Sequence, residues 1–399
     1  MPDNPTRRRL LQGLAGCGAV QALYAAVKPV RITGLDVFDI RLPATDAEVA
    51  AGVQNQYTVA KVTTDAGVSG YSFAGPPPRA AAAAKEAIAG KDLFNVTSQL
   101  QAGLWKSGGV EHAVWDAVGK IANRPVYQLL GGNKDRVPAY LTCVWQGPAD
   151  QQQVSFKQQV DMAVKIKNAG FKGMKIRVWR PDPLDDVEVC RRIKEATGEN
   201  FHLMFDRTAE MPVSMAGQPI WDFETGLHVA RELQKAGAYW LEEPFARSDY
   251  ISPAKLAERV DILITGGEGY SALEPFRECL LHRTYDILQP DGRQAGGIFR
   301  CREVGVLSES FHVPTILHGT MSLLLAGWLQ ATLAIGSPWQ EMALITPPLL
   351  PEEQWAPALK VLKSKQMFTF EQGELLAPPY PGIGLDVDEE AIERYRVKG

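Results

Sequence analysis

Cysteine is scarce in this chain, and the little there is forms no pattern. Cys17, Cys143, Cys190, Cys279 and Cys301 match neither a zinc-ligand spacing nor a CxxC pair, which excludes a zinc finger and a dithiol redox motif. The last four fall inside strand-like or helix-like stretches and are expected to be buried free thiols. An excess of one charge is missing too: 42 basic against 46 acidic residues give a net charge of −4 over 399 residues. Nothing there marks a polyanion-binding surface, so nucleic acid is not an expected partner. No apolar run reaches spanning length without interruption, so no membrane span is expected. Internal repeats are absent; the alanine run at 80–84 reads as helix and the prolines at 76–78 as a loop. What remains suits a barrel-sized core with a second domain.

From residue 137 onward, β-rich runs alternate with amphipathic ones. Strands are expected at 137–144, 173–178, 202–208, 238–244, 262–268, 286–291, 313–319 and 339–345. Helices are expected between them at 155–169, 185–197, 223–236, 252–259, 272–282, 297–309 and 321–334. This is the rhythm of a parallel α/β fold, with Gly170 and Gly237 punctuating helix ends. A doubly wound open sheet shares the rhythm but does not readily put a functional residue at five strand ends in a row. The order therefore predicts an α/β barrel over 137–360. Before it, alternation over 31–43 and 57–64, a turn and strand at 67–71, and helical stretches at 78–89, 97–104 and 109–130 predict an α+β capping domain over 30–136. A tail over 361–399, strand-like at 367–370, is expected to return to that cap.

The strand ends carry the chemistry. Asp206, Glu242 and Glu268 close three successive strands, and Asp291 and His318 close the next two. In a parallel barrel all these ends open on one face. Three converging carboxylates make an oxygen cage for a hard cation such as Mg²⁺. A histidine beside an aspartate makes an oriented acid/base. Glu243 alternates to the opposite side of its strand and reads as a supporting group. The Gly266-Gly267-Glu268-Gly269 run lacks the Lys-Ser/Thr of a phosphate cradle.

Ala113-Val114-Trp115-Asp116-Ala117-Val118-Gly119-Lys120, followed by Pro125-Val126-Tyr127-Gln128-Leu129-Leu130-Gly131-Gly132, resembles the end of the capping domain of the enolase superfamily. Lys175-Ile176-Arg177, Asp206, Leu241-Glu242-Glu243-Pro244, Gly267-Glu268, Asp291 and His318 resemble, in order, the barrel motifs of its mandelate racemase subgroup. The resemblance runs from about residue 30 to the end. It implies a modified TIM barrel, (β/α)7β, with an α+β cap, an essential Mg²⁺, and removal of a proton α to a carboxylate. The muconate-lactonising branch carries a lysine after strand six, where this chain reads Asp291-Gly292-Arg293-Gln294. The metal would stabilise the second negative charge that builds on the carboxylate oxygens.

Lys175 and Arg177 are two apart and face the interior together. The subgroup's common pair is two lysines, the second a base facing the histidine. Arg177 holds that position here and stays protonated at any working pH. It could hold a carboxylate or the developing enediolate, while Lys175 matches the electrostatic helper. Thr208 is expected to face the site and bind substrate, and Glu341 matches a glutamate that hydrogen-bonds the substrate carboxylate. With His318 as the only oriented base, dehydration of an acid sugar to a 2-keto-3-deoxy acid is the expected reaction. A racemase or epimerase of a 2-hydroxy acid, with Lys175 as second base, is the alternative. A catalytically silent carboxylate-binding protein is a third reading, against which the dyad argues. Selectivity is assigned to cap loops near 44–57, and a homo-oligomer is expected.

The amino terminus reads separately. Thr6-Arg7-Arg8-Arg9-Leu10-Leu11 precedes a modest apolar stretch to residue 26, the pattern of a twin-arginine export signal and a periplasmic enzyme. Leu14-Ala15-Gly16-Cys17 resembles a lipoprotein box, but seven residues after Arg9 leave a short apolar region, so anchoring at Cys17 is the weaker reading.

Overall fold

The computed structural model describes residues 28–132, 134–145, 154–208, 219–344 and 349–398; the expected export segment, Cys17 included, lies outside the described residues. Three antiparallel strands, β1 (Ile32–Arg41), β2 (Gln56–Thr64) and β3 (Ser69–Ser72), open the cap in the order β1-β2-β3. Their alternation buries Phe38, Ile40, Tyr57 and Val59 on one face. Helix Gly108–Ala122 lies close on β3: a methyl at Gly70 would run into the Ala113 and Ala117 backbone. The single helix expected over 109–130 is two, Gly108–Ala122 and Val126–Leu129. Asn123, at φ 51°, ends the first in a left-handed cap, and Pro125 leads into the second.

The barrel follows. β4 (Arg136–Cys143), β5 (Gly173–Arg177), β6 (His202–Asp206), β7 (Trp240–Glu242), β8 (Leu263–Gly266) and β9 (Ile287–Leu288) are neighbours in that order, and every adjacent pair is parallel. β10 (Gln340–Leu344) pairs in parallel with β4, Gln340 opposite Ala139. The connecting helices span Phe156–Asn168, Pro183–Thr197, Phe223–Lys235, Ile251–Ala257, Leu273–His282, Ile298–Glu309 and Leu325–Ile335. One expected strand, at 313–319, is not continuous. Isolated bridges join Thr315 to Leu288 and Thr320 to Met342, and His318 N donates to Pro290 O at 3.0 Å. Pro290 and Pro314 have no N–H to give, so the ladder breaks while the path around the barrel is kept.

Inside the barrel, Tyr140, Met204, Trp240, Ile287, Ile316 and Trp339 form a packed floor, with the Tyr140 and Trp240 rings edge to face at 5.2 Å. Polar strand ends therefore sit on a solid core rather than over a pore. The tail forms a hairpin, β11 (Phe370–Glu371) and β12 (Glu374–Leu376), and β12 adds antiparallel to β4. The strand expected at 367–370 begins only at Phe370, and Met367 and Phe368 before it are buried. Further on, Val397 N reaches Asp39 O at 2.9 Å, and Tyr71 Oη donates to Glu389 at 2.6 Å. Cys143, Cys190, Cys279 and Cys301 are buried and unpaired.

Candidate active site

Register places the acidic cluster. Asp206 ends β6 opposite both Arg177 of β5 and Glu242 of β7. Glu268 follows two residues after β8, past Gly267 at φ 112°. That turn, open to glycine, carries the chain inward. Asp206, Glu242 and Glu268 each offer a carboxylate oxygen, and the three oxygens lie within 4.8 Å of one another.

Two cations from β5 flank the cluster. Lys175 is fully buried; its Nζ lies 2.8 Å from Glu242 Oε2, 2.7 Å from Glu341 Oε1 and 3.5 Å from Asp206 Oδ2. Burial opposes its charge, but Glu242, Glu341 and Asp206 outweigh burial and hold it protonated. Arg177 pairs with Asp206 and also donates to the Thr208 hydroxyl. Its Nε is buried without a partner. Burial works against the Asp206 charge, yet Arg177 and Lys175 keep its carboxyl below the usual range. Glu242 differs: burial, then the Asp206 charge beside it, push it up to about 8 despite Lys175. Glu268 Oε2 is buried with no aligned hydrogen bond, although His318 Nε2 stands 3.0 Å away. A crowded carboxylate trio, one member driven toward protonation and one oxygen left without a donor, fits a hard divalent cation such as Mg²⁺.

His318 Nδ1 meets Asp291 Oδ2 at 3.0 Å. Asp291 is fixed in turn by the N–H groups of Arg293 and Gln294, at 2.8 and 2.9 Å. Burial disfavours the imidazolium, but Glu268 and the bond to Asp291 outweigh it and push His318 up to about 10. Glu341, on β10, receives the Thr142 hydroxyl and the Gly319 N–H as well as Lys175. Thr208, expected to face substrate, is instead 1% exposed and donates to Asp206 Oδ1 at 2.6 Å. Its hydroxyl is occupied by the cluster.

Three residues enter that the sequence reading passed over. Arg247 clamps Glu243 and Glu268 together, at 2.8 and 2.5 Å, so Glu243 supports the cluster through that guanidinium. Gln289 donates to Glu242 Oε2 at 3.0 Å. Thr142 holds Glu341. Gln289 lies two residues before Asp291, so alternation alone could have put it on the inward face. Arg247 lies in a loop with no period to betray it.

Arg177, His318, Glu341 and Thr142 share the wall of a cavity of ≈ 600 Å³. The site can therefore seat a small carboxylate with an oriented imidazole on one side and fixed positive charge beside it. Among the described residues no helix is long and apolar enough to cross a membrane.

Residues 158–391 match the enolase C-terminal domain-like family, and residues 36–131 match the mandelate racemase / muconate lactonizing enzyme N-terminal domain. Arabinonate dehydratase of Saccharolobus solfataricus is 31% identical over 294 residues, covering 73% of this chain and 72% of that one. L-talarate/galactarate dehydratase of Salmonella typhimurium is 26% identical over 64% of this chain and 67% of that one. The crystal structure of D-glucarate dehydratase from Agrobacterium tumefaciens, complexed with magnesium, superposes with a TM-score of 0.77 over 92% of this chain and 99% of that one, at 24% identity. With the barrel, the cap and the carboxylate cluster, these matches establish that the chain belongs to the enolase superfamily, in its mandelate racemase / muconate lactonizing enzyme family.

Proposed function

We propose that this protein is a Mg²⁺-dependent acid-sugar dehydratase acting through one base. The observation that carries this reading is the asymmetry of the site: one oriented imidazole, His318 on Asp291, and, among the described residues lining the cavity, no second group placed to take a proton. Lys175 is locked protonated among three carboxylates, and a guanidinium at Arg177 cannot act as a base. Racemisation needs a proton removed on one face and returned on the other. Dehydration asks only for one residue that takes the α-proton and gives it to the departing β-hydroxyl.

Asp206, Glu242 and Glu268 would hold Mg²⁺, which supplies Lewis-acid stabilisation of the enediolate when bound. A cation held by Glu268 would offset that carboxylate's attraction for the imidazolium, which would favour the neutral His318 that a base requires. His318 Nε2 then removes the proton from C2 of the substrate, while Asp291 keeps Nδ1 protonated and the ring aimed. Lys175 and Arg177 offset the charge that develops on the carboxylate oxygens. The C3–O bond breaks, Nε2–H protonates the leaving oxygen, and water departs. The remaining enol tautomerises to the 2-keto-3-deoxy acid. The two dehydratases similar to this chain support the same assignment.

The Arg7-Arg8-Arg9 pattern supports a periplasmic location, and buried unpaired cysteines are compatible with a chain that folds before export. Incubation with a library of acid sugars tests the function: a semicarbazide-reactive keto acid that appears only with Mg²⁺ is the expected product. Racemised acid without keto acid would contradict the dehydratase reading.

A further inference from the structure

The cavity beside the cluster has a lining of two unlike kinds. Its positive charges are Arg177 and His318, with buried Lys175 paired to the carboxylates. Val144 and Ala343 stand two residues beyond Thr142 and Glu341, further along the same chain paths, and with Met321 and Leu324 they make the rest of the barrel lining apolar, while Gln54 from the cap and Thr320 are neutral polar groups. Among the described lining residues, no lysine or arginine besides Arg177 faces this cavity. Apart from the first 27 residues, the positions outside the described ones contain no Lys, Arg or His, while Asp150 and Glu210 fall among them.

From this we infer that the substrate is a monocarboxylate with a neutral far end, an aldonate rather than an aldarate; the inference rests on the dehydratase reading above. One substrate carboxylate is provided for by the metal end and by the unpartnered Arg177 Nε. A second carboxylate at the far end would meet four apolar side chains and two neutral ones. A carboxylate taken from water without a cation or several aligned donors loses more solvation than the site returns. A hydroxymethyl group in the same place needs one or two hydrogen bonds, which Gln54 and Thr320 can give. Discrimination is thus carried largely by barrel residues Val144, Met321, Leu324 and Ala343, and less by the cap loop to which sequence reasoning assigned it.

Five- and six-carbon aldonates and aldarates, paired by identical configuration and differing only in the terminal CH2OH or carboxylate, test this with the intact Mg²⁺-loaded enzyme. The expected result is a best substrate among the aldonates, with kcat/KM at least about 50-fold above that of its matched aldarate. A smaller ratio, or an aldarate as best substrate, overturns the inference while leaving the dehydratase reading intact. No keto acid from any member removes that reading, and the inference with it. Binding supplies a second readout: the His318→Asn variant should hold the aldonate more tightly than the aldarate by calorimetry, and equal affinities overturn the inference. Leu324→Arg, which puts a cation at the far end, should narrow the kcat/KM ratio at least tenfold.

Discussion

His318 has two neighbours that decide what it can do, Asp291 on Nδ1 and Glu268 near Nε2. His318→Asn keeps a polar side chain of similar reach but has no basic nitrogen. Both α-proton exchange and turnover should fall by at least about 10³-fold, while Mg²⁺ binding, followed by titration calorimetry, should persist. Retained exchange in the variant would mean that another base exists. Asp206 stands between Arg177, Thr208 and the other two carboxylates. Asp206→Asn should abolish Mg²⁺-dependent activity, and calorimetry should show metal affinity lost with it; unchanged affinity would remove Asp206 from the metal site. The acidic residues were legible because each closes a strand whose length and flanking glycines show in the sequence. Thr208 faces the cluster, with its hydroxyl on Asp206 and Arg177. Alternation puts its side chain near the site, but its positive φ of 44° and the open acceptor on Asp206 turn the hydroxyl to the carboxylate.

At the scale of elements, helix Gly108–Ala122 joins the cap to the barrel. Glu111 accepts the N–H groups of Ile298 and Phe299 at 2.8 and 2.9 Å, capping a barrel helix that lacks its own side-chain cap. His112, next along, is buried edge-on against Trp328 at 5.0 Å, with Nε2 unpartnered. Burial pushes His112 down to about 3 from its ordinary 6.5, partly opposed by Asp291. The unfolded chain therefore takes up a proton below pH 6.5 that the folded chain refuses until about pH 3. The stability this neutral ring contributes is complete above pH 6.5 and lost as pH falls. Between pH 7 and pH 5, wild type should lose about 2 kcal/mol more than His112→Gln in denaturant titrations. Parallel losses in the two proteins would show that His112 titrates as freely folded as unfolded. Neither Glu111 nor His112 was legible as an interdomain contact, since both sit in an apolar helix whose period says only that one face is buried. The barrel strands were legible as short apolar runs alternating with amphipathic stretches, whereas the segment expected as a strand at 313–319 is not continuous. Apolar alternation marked its path, but Pro314 inside it and Pro290 on its neighbour remove ladder donors.

For the whole molecule, the barrel and the tail are joined by β12 on β4, and the proposed role of the amino-terminal arginines is export of the folded enzyme. Fusing residues 1–30 to a reporter should carry it to the periplasm in folded form, and replacing Arg7 and Arg8 with Lys should keep it inside. A wild-type fusion that stays cytoplasmic would contradict the export assignment. Under the proposed mechanism one base serves the whole reaction, and isotope exchange in D₂O with each C2 epimer of a turned-over acid sugar separates it from a two-base reaction. The intact enzyme with Mg²⁺ should incorporate deuterium at C2 of one epimer only and release water from that same epimer. Interconversion of both epimers at comparable rates would contradict this, because it requires a second group that both takes and gives a proton on the face opposite His318.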